Sequence, residues 1–387
     1  MKKLCVVTTV SLSIRAFFLP LLRYLDEHTD WELTVICDHD PDLQPLLPER
    51  VRYVPVSMKR GISLGGIGAM LNMAKLFRKE KFDLVQYSTP NAALYASMAA
   101  KLAGVPVRKY HLMGFRYLGF SGIKKKLFKM VDQFACALST HVECVSRSNL
   151  KLGVAEGVFS EEKASILLHG STSGVDLQRF DIEQKLHWRR ELRAEYGYRE
   201  QDCVFGFMGR ITRDKGINEL ITAFSGMEDP STKLFIAGEK EPDANLDQEK
   251  LNWALNSDRV AFQGFVSDIQ RYFAMIDVLV LPSYREGFGN IVIEAQAMGV
   301  PVIVSDIPGP TDAMQHGQTG LTVPVQNAAA LKIAMETLAK DPLLRATMGS
   351  KGRALIEERF DQKKLCAAFL QDRKQLLEGA AVGCDRS

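Results

Sequence analysis

Leu281-Pro282-Ser283-Tyr284-Arg285-Glu286-Gly287-Phe288-Gly289-Asn290-Ile291-Val292-Ile293-Glu294-Ala295 is the stretch on which the reading of this sequence turns. A β-branched apolar run, Val278–Leu281, ends where the stretch begins, and a helical pattern takes over near Asn290. Between them Gly287 and Gly289 permit close approach of backbone to a ligand. The start of a helix presents free N–H groups and the positive end of a dipole, so it attracts anions. Glu286 lies in the loop and Glu294 about one turn into the helix. Either acid alone reads as a surface or capping residue. Together, framed by Pro282, Gly287 and Gly289, they read as a pair that accepts hydrogen bonds from ligand hydroxyls.

The same strand–loop–helix rhythm extends in both directions. In the first half, strands are expected at Leu4–Thr8, Glu32–Cys37, Val51–Val54, Leu84–Tyr87, Val107–Tyr110, His141–Val145 and Ala164–Leu168. Helices are expected over Ile67–Arg78, Ala92–Leu102 and Lys125–Leu138. In the second half, strands fall at Val204–Met208, Lys233–Ala237, Val260–Gln263, Val278–Leu281 and Val302–Val304. Helices there cover Ile217–Phe224, Gln248–Asn256, Asp268–Met275 and Ile291–Met298. Alternation of this kind predicts an α/β fold with two doubly wound parallel sheets, one in each half. The 387 residues suit two domains. The flexible run Gly170–Gly174, followed by the charged segment Gln184–Glu200, places the boundary between the halves. In open parallel sheets ligands sit beyond the carboxyl ends of the strands, so two facing sheets predict a cleft between domains.

A second cluster, Gly209-Arg210-Ile211-Thr212-Arg213-Asp214-Lys215-Gly216, follows the first strand of the second half. Arg210 offers a planar fork for phosphate oxygens and Lys215 a compact charge. The bland reading is a solvated loop; its place at a strand's carboxyl end favours a diphosphate site.

These motifs resemble retaining GT-B glycosyltransferases of family 4, also known as glycosyltransferase group 1. The resemblance rests on Gly209-Arg210 with Asp214-Lys215-Gly216, on Phe235-Ile236-Ala237-Gly238, on Glu286 and Glu294 eight positions apart, and on Ala297-Met298-Gly299-Val300-Pro301-Val302. Ser173-Gly174-Val175-Asp176 with Phe180 resembles an interdomain element of the family, with Ser173 in place of its usual Asn. The resemblance is strong from about residue 165 to 325 and weaker before it. It implies a GT-B fold. An acceptor-binding domain would span residues 1–177, with a last helix, 362–387, crossing back onto it, and a donor-binding domain residues 178–361. It further implies that Arg210 and Lys215 hold the donor diphosphate and that Glu294 binds the nucleotide ribose. Glu286 and the Phe288-Gly289-Asn290 backbone, with Gly238 nearby, would contact the donor sugar. His111, after the expected strand Val107–Tyr110, resembles the family's sugar-contacting active-site His, and reads equally as a polar loop residue. The family's Gly-rich loop after the first strand is replaced by Thr8–Ser13. There Ser11 and Ser13 either hydrogen-bond a ligand or cap the following helix.

The implied reaction moves a sugar, with retention, from a nucleoside-diphosphate sugar to a glycan. Uridine is the base expected by analogy. The expected acceptor is a polyprenyl-diphosphate-linked sugar, in the manner of bacterial surface-polysaccharide assembly. No cofactor and no metal are expected, because cationic side chains and helix dipoles stabilise the leaving diphosphate. Two other classes remain open: a UDP-sugar 2-epimerase on the same architecture, and a sugar-nucleotide sensor without turnover.

The remaining features bound the partners. With 49 basic and 46 acidic residues, a net charge of +3 excludes a surface built for nucleic acid. The seven cysteines show neither a CxxC pair nor metal-ligand spacing, and read as small buried hydrophobes in a reducing compartment. Polar residues interrupt the apolar start, so neither a signal peptide nor a membrane span is expected, and the chain reads as cytoplasmic. Arg108, Lys109, Arg116, Lys124, Lys125, Lys126 and Lys129 are interleaved with Phe115, Tyr117, Leu118, Phe120, Leu127 and Phe128. This run reads either as a solvated helix face or as a peripheral contact with an anionic membrane, Lys124, Lys125, Lys126 and Lys129 being the expected contacts.

Overall fold

A computed structural model describes residues 1–58, 64–241 and 244–384 of the chain. The chain divides into two compact units: Met1–Ser173 together with the segment from Lys363 onward, and Gly174–Gln362.

In the first unit the order is β1 (Lys3–Val7), α1 (Ser11–Ser13), a π-helical turn (Ile14–Phe18), α2 (Leu19–His28), β2 (Glu32–Cys37), β3 (Arg52–Pro55), α3 (Leu64–Glu80) and β4 (Leu84–Ser88). Then come α4 (Pro90–Leu102), β5 (Val107–Leu112), α5 (Gly122–Leu138), β6 (His141–Cys144), α6 (Arg147–Ala155) and β7 (Ala164–Ser165). The second unit holds α7 (Lys185–Glu195), β8 (Cys203–Met208), α8 (Ile217–Ser225), β9 (Thr232–Ala237), α9 (Gln248–Leu255), β10 (Val260–Gln263), α10 (Ile269–Met275) and β11 (Val278–Leu281). It continues through α11 (Asn290–Ala297), β12 (Val302–Ser305), β13 (Gly320–Val323), α12 (Ala328–Lys340) and α13 (Pro342–Arg359), and α14 (Gln362–Cys384) closes the sequence. Residues 385–387 of the expected last helix lie outside the described residues.

The strands are parallel, in the orders β3-β2-β1-β4-β5-β6-β7 and β10-β9-β8-β11-β12-β13. Each order reverses direction once, between β1 and β4 in the first sheet and between β8 and β11 in the second. Such switch points open the crevices in which doubly wound sheets bind ligands.

Strands buried on both faces should be apolar at nearly every position. In the first sheet one row departs from this. Gln86 pairs in register with Lys109, and His111 with Glu143. All four are buried. They share a face with Leu4, Val6, Leu84 and Val107, which pack against Cys366, Phe369, Leu370 and Leu377 of α14. The same helix carries Arg373, the largest fully buried side chain among the described residues. Its guanidinium donates to Glu143 at 2.5 Å and to Gln86 Oε1 at 2.6 Å, and stacks 3.5 Å over the Phe369 ring. Lys109 Nζ lies 2.9 Å from Glu143 and 2.7 Å from Asp372. Two cations thus meet two carboxylates with no net buried charge, which is how charge is tolerated in a core. Burial works to raise the Glu143 pKa, yet Arg373, then Lys109, hold it well below the ordinary carboxylate range.

Truncating one partner strands its opposite charge in the core. Arg373→Leu is expected to cost roughly 3–5 kcal/mol in urea unfolding, and Arg373→Leu with Glu143→Leu to recover part of it. A loss below about 1 kcal/mol would show that the network is not structural. Because the Glu143 pKa is depressed on folding, the network's contribution is present above pH 4.5 and is lost as pH falls below it.

Candidate active site

The second switch point brings together the two segments singled out in the sequence. β8 and β11 are neighbours in the sheet, so the loops leaving their carboxyl ends must touch. After β8 the chain passes Gly209 (φ 155°), Arg210 and a tight turn at Arg213–Lys215, and reverses at Gly216 (φ 75°) into α8. A Cβ on Gly216 would stand 2.1 Å from the Pro282 carbonyl oxygen of the β11 loop, so only glycine lets the loops approach this closely. Gly238, after β9, serves the same purpose: its Cβ would meet the Gly209 carbonyl oxygen at 1.9 Å.

Polar side chains lace the loops together. Arg285 donates to Asp214 at 2.9 Å, and the Tyr284 hydroxyl to Glu219 at 2.8 Å. Lys215 Nζ donates to Glu286 Oε1 at 2.5 Å, and Ser283 Oγ donates to the same oxygen at 2.9 Å. Arg210, half exposed, donates to Glu241 at 2.6 Å. Both cations proposed for a diphosphate are therefore held by carboxylates. A polyanionic ligand would exchange places with them.

The helix start is placed as expected. Gly289 takes φ 86° as the N-cap of α11, and Asn290 is its first residue. The Phe288 side chain is buried and packs on Phe360 with ring centroids 5.4 Å apart, which leaves only its backbone to meet a ligand. Glu294 lies on α11 one turn in. Burial raises its carboxyl pKa to about 7, with Arg179 opposing. Such a carboxyl gains most from a ligand that donates hydrogen bonds to its ionised form.

Several residues sit elsewhere than the sequence suggested. His111 is not in a loop after its strand; it lies inside β5, 3% exposed. Its Nδ1 donates to Glu143 at 2.7 Å, which fixes the tautomer and leaves Nε2 without a partner among the described residues. Neither the Ser11 nor the Ser13 hydroxyl caps a helix: the N-cap of α1 is Val10, Ser13 stands at the N-cap of the π-helical turn without a side-chain cap hydrogen bond, and the Ser11 backbone N–H donates to Asp38 at 2.6 Å. Across the first switch point Thr9 takes the interaction instead: its hydroxyl lies 2.7 Å from that of Thr89 and accepts from the Ala92 N–H at 3.2 Å.

The basic run also divides. Lys109 belongs to the buried network, Arg108 donates to the backbone oxygens of Leu138 and Val105, and Phe115 and Tyr117 are core residues. Lys129 pairs with Glu156 at 3.0 Å. Lys124, Lys125 and Lys126 remain on the surface of α5, Lys125 partly covered. The sequence reading missed Arg373, Glu143 and Asp372; the clue was polar side chains at core positions of short strands. Among the described residues no group of three or more His, Cys, Asp or Glu side chains is placed to hold a metal, and no helix is long and apolar enough to cross a membrane.

Comparison with known proteins bears on the family and the fold. The model for "Glycosyl transferases group 1" matches residues 189–355, and that for "Glycosyltransferase Family 4" matches residues 17–167. The Capsular polysaccharide biosynthesis glycosyltransferase CapM of Staphylococcus aureus is 30% identical over 369 residues, 94% of either chain. The UDP-Gal:alpha-D-GlcNAc-diphosphoundecaprenol alpha-1,3-galactosyltransferase of Escherichia coli is 26% identical over 81% of each. Among solved structures, Anabaena Alr3699/HepE in complex with UDP superposes with a TM-score of 0.78 at 19% identity, covering 97% of this chain and all of that one. That likeness shows the fold, GT-B.

The contact at Gly216 can be tested directly. Gly104 has a similar φ, 72°, but open space around it, so Gly104→Ala measures backbone strain alone. Gly216→Ala adds the clash with Pro282 and should lower Tm by several degrees more. Equal shifts would show that the loops do not depend on this contact.

Proposed function

The chain belongs to the group 1 glycosyltransferases, and from that premise we propose that it transfers a sugar from a UDP-sugar, with retention, to a lipid-linked glycan. One observation carries the donor reading. Lys215, Arg210 and the N-terminus of α11 converge at the β8/β11 switch point, where glycines keep the loops open to close backbone approach. The donor diphosphate displaces Glu286 from Lys215 and Glu241 from Arg210. Glu286, released, accepts from sugar hydroxyls, and the Phe288–Asn290 backbone borders the same sugar. Glu294 binds the ribose hydroxyls. The two cations and the helix dipole stabilise charge as it develops on the leaving phosphate. Retention follows if the acceptor attacks from the phosphate's own face and the phosphate takes its proton. No metal enters this scheme.

The choice of base and acceptor leans on relatives. The Escherichia coli relative named above is, by its name, a UDP-sugar enzyme acting on a diphosphoundecaprenol-linked sugar. A Campylobacter jejuni relative, 25% identical over 375 residues, bears a name of the same kind. His111 enters as the first unit's candidate reacting group, through the Nε2 that Glu143 leaves as an acceptor.

Calorimetry with UDP tests the donor site. Arg210→Ala and Lys215→Ala each remove a charge-assisted hydrogen bond worth roughly 1.5–3 kcal/mol and should weaken binding by about ten- to a hundredfold. Near-wild-type affinity in both would refute it. UDP affinity should rise with pH through about 7 as Glu294 ionises, and Glu294→Gln should flatten that rise. His111→Ala should lose turnover while keeping UDP affinity. Incubating UDP-sugars alone separates the isomerase reading: a 2-epimerase converts the donor, whereas a transferase needs the polyprenyl-diphosphate sugar to form product.

A further inference from the structure

At the carboxyl ends of the first sheet, Ser88 Oγ and His111 Nε2 are both buried and have no hydrogen-bond partner among the described residues. Ser88 is the last residue of β4 and pairs in register with His111 of β5, which in turn pairs with Glu143 of β6. Neighbouring strands lie about 4.8 Å apart, and side chains alternate between the two faces. Ser88 follows Gln86 by two positions and His111 follows Lys109 by two, so both point to the face that holds the ion network. The two orphaned atoms are therefore neighbours. A buried polar atom without a partner carries a desolvation penalty, and native cores hold few of them. Two side by side, on residues 0% and 3% exposed, call for an occupant.

Their chemistry defines that occupant. Arg373 and Lys109 keep Glu143 ionised, so its carboxylate accepts from His111 Nδ1 at 2.7 Å. The neutral ring is left with a lone pair on Nε2, while Ser88 supplies an O–H donor. One acceptor and one donor beside the same gap suit a group that donates and accepts through a single oxygen, which is a hydroxyl. A phosphate or carboxylate oxygen would set its own lone pairs against Nε2. An apolar group would leave both orphans unsatisfied.

The surroundings are those of a ligand site. Thr89, directly after Ser88, holds φ 70°, a conformation that β-branched residues rarely adopt. Strain of this kind persists only where the structure around it imposes it, and it gathers at ligand and active sites. Here Thr9 imposes it, its backbone N–H donating to the Thr89 hydroxyl at 3.0 Å. Phe18 meets the His111 ring edge-on, with centroids 5.5 Å apart. It ends the π-helical turn Ile14–Phe18, a rare conformation that is frequent at functional sites. The gap thus lies beside the β1/β4 switch point, with Phe18 as its cover.

We propose that Ser88 Oγ and His111 Nε2 together clasp one hydroxyl of a sugar substrate, Ser88 donating and His111 accepting, with the Phe18 turn giving way to admit it. This rests on the transfer reading above and adds to it a substrate-contacting residue, Ser88.

Ser88→Ala tests the clasp, because function and stability should move apart. Removing an orphaned buried hydroxyl relieves the free protein, so Tm should stay level or rise. Transfer to the polyprenyl-diphosphate sugar, read as kcat/KM, should fall about tenfold or more. Calorimetry then assigns the hydroxyl. Weaker UDP-sugar binding with unchanged UDP binding places it on the donor sugar. Unchanged UDP-sugar binding with a raised KM for the polyprenyl-diphosphate sugar places it on the acceptor. Wild-type turnover in Ser88→Ala, with His111→Ala inactive, overturns the clasp and leaves the transfer reading standing. A drop in Tm alongside the lost turnover overturns it too, since the gap then holds a structural water. A wild type that transfers to no sugar acceptor overturns both.

Discussion

The buried contact between Arg373 and Glu143 is the constraint on which the first unit is built. A guanidinium without water must find a carboxylate, and Glu143 sits in the middle of a parallel sheet that would otherwise be apolar there. Lys109 and Asp372 balance the charge, and Gln86 accepts from Nη2 of the guanidinium. The apolar part of the contact, through Phe369, Leu370 and Leu377, would let α14 slide; the ions fix its register. His111 owes its orientation to the same carboxylate. A residue considered for chemistry thus stands on a structural ion network, and the two roles share one oxygen pair.

The second unit is organised by its strand order. Because β8 and β11 are neighbours while their chain partners lie on opposite sides, two loops are forced together with no strand between them. Glycines at 216 and 238 let them close, and Asp214–Arg285 and Lys215–Glu286 tie them. The first sheet meets the same topological demand differently, by joining Thr9 to Thr89. One crevice is lined by paired charges, the other by hydroxyls paired with each other.

The fold was largely legible in the sequence because buried parallel strands write themselves as short β-branched runs. Most expected strands match to within a residue or two. β13 was not seen: it has four residues and opens on Gly320, where a Cβ would stand 2.1 Å from the Val302 carbonyl oxygen. The charged segment from Gln184 to Glu200 marked the domain boundary and was given no helix, yet it holds α7, where Arg193 buries itself on Asp277, far off in sequence. Asp277 carries no local sign of that partner. The site divides the same way. Its loops, glycines and helix start are local and were readable. The pairing of Lys215 with Glu286 and of Arg210 with Glu241 depends on which strands are adjacent, and the depth of His111 on where β5 ends.

The place of Arg373 also sets an order of assembly during synthesis. The first sheet is complete in the nascent chain by residue 173, yet its buried Glu143 and Lys109 have only each other, and the apolar face around them stays uncovered, until α14 brings Arg373, Asp372 and Phe369 about 200 residues later. At roughly 5–20 residues per second that interval lasts some ten to forty seconds. The middle of the chain is a compact unit of its own and can fold while the beginning waits. The unit made first is therefore the one finished last.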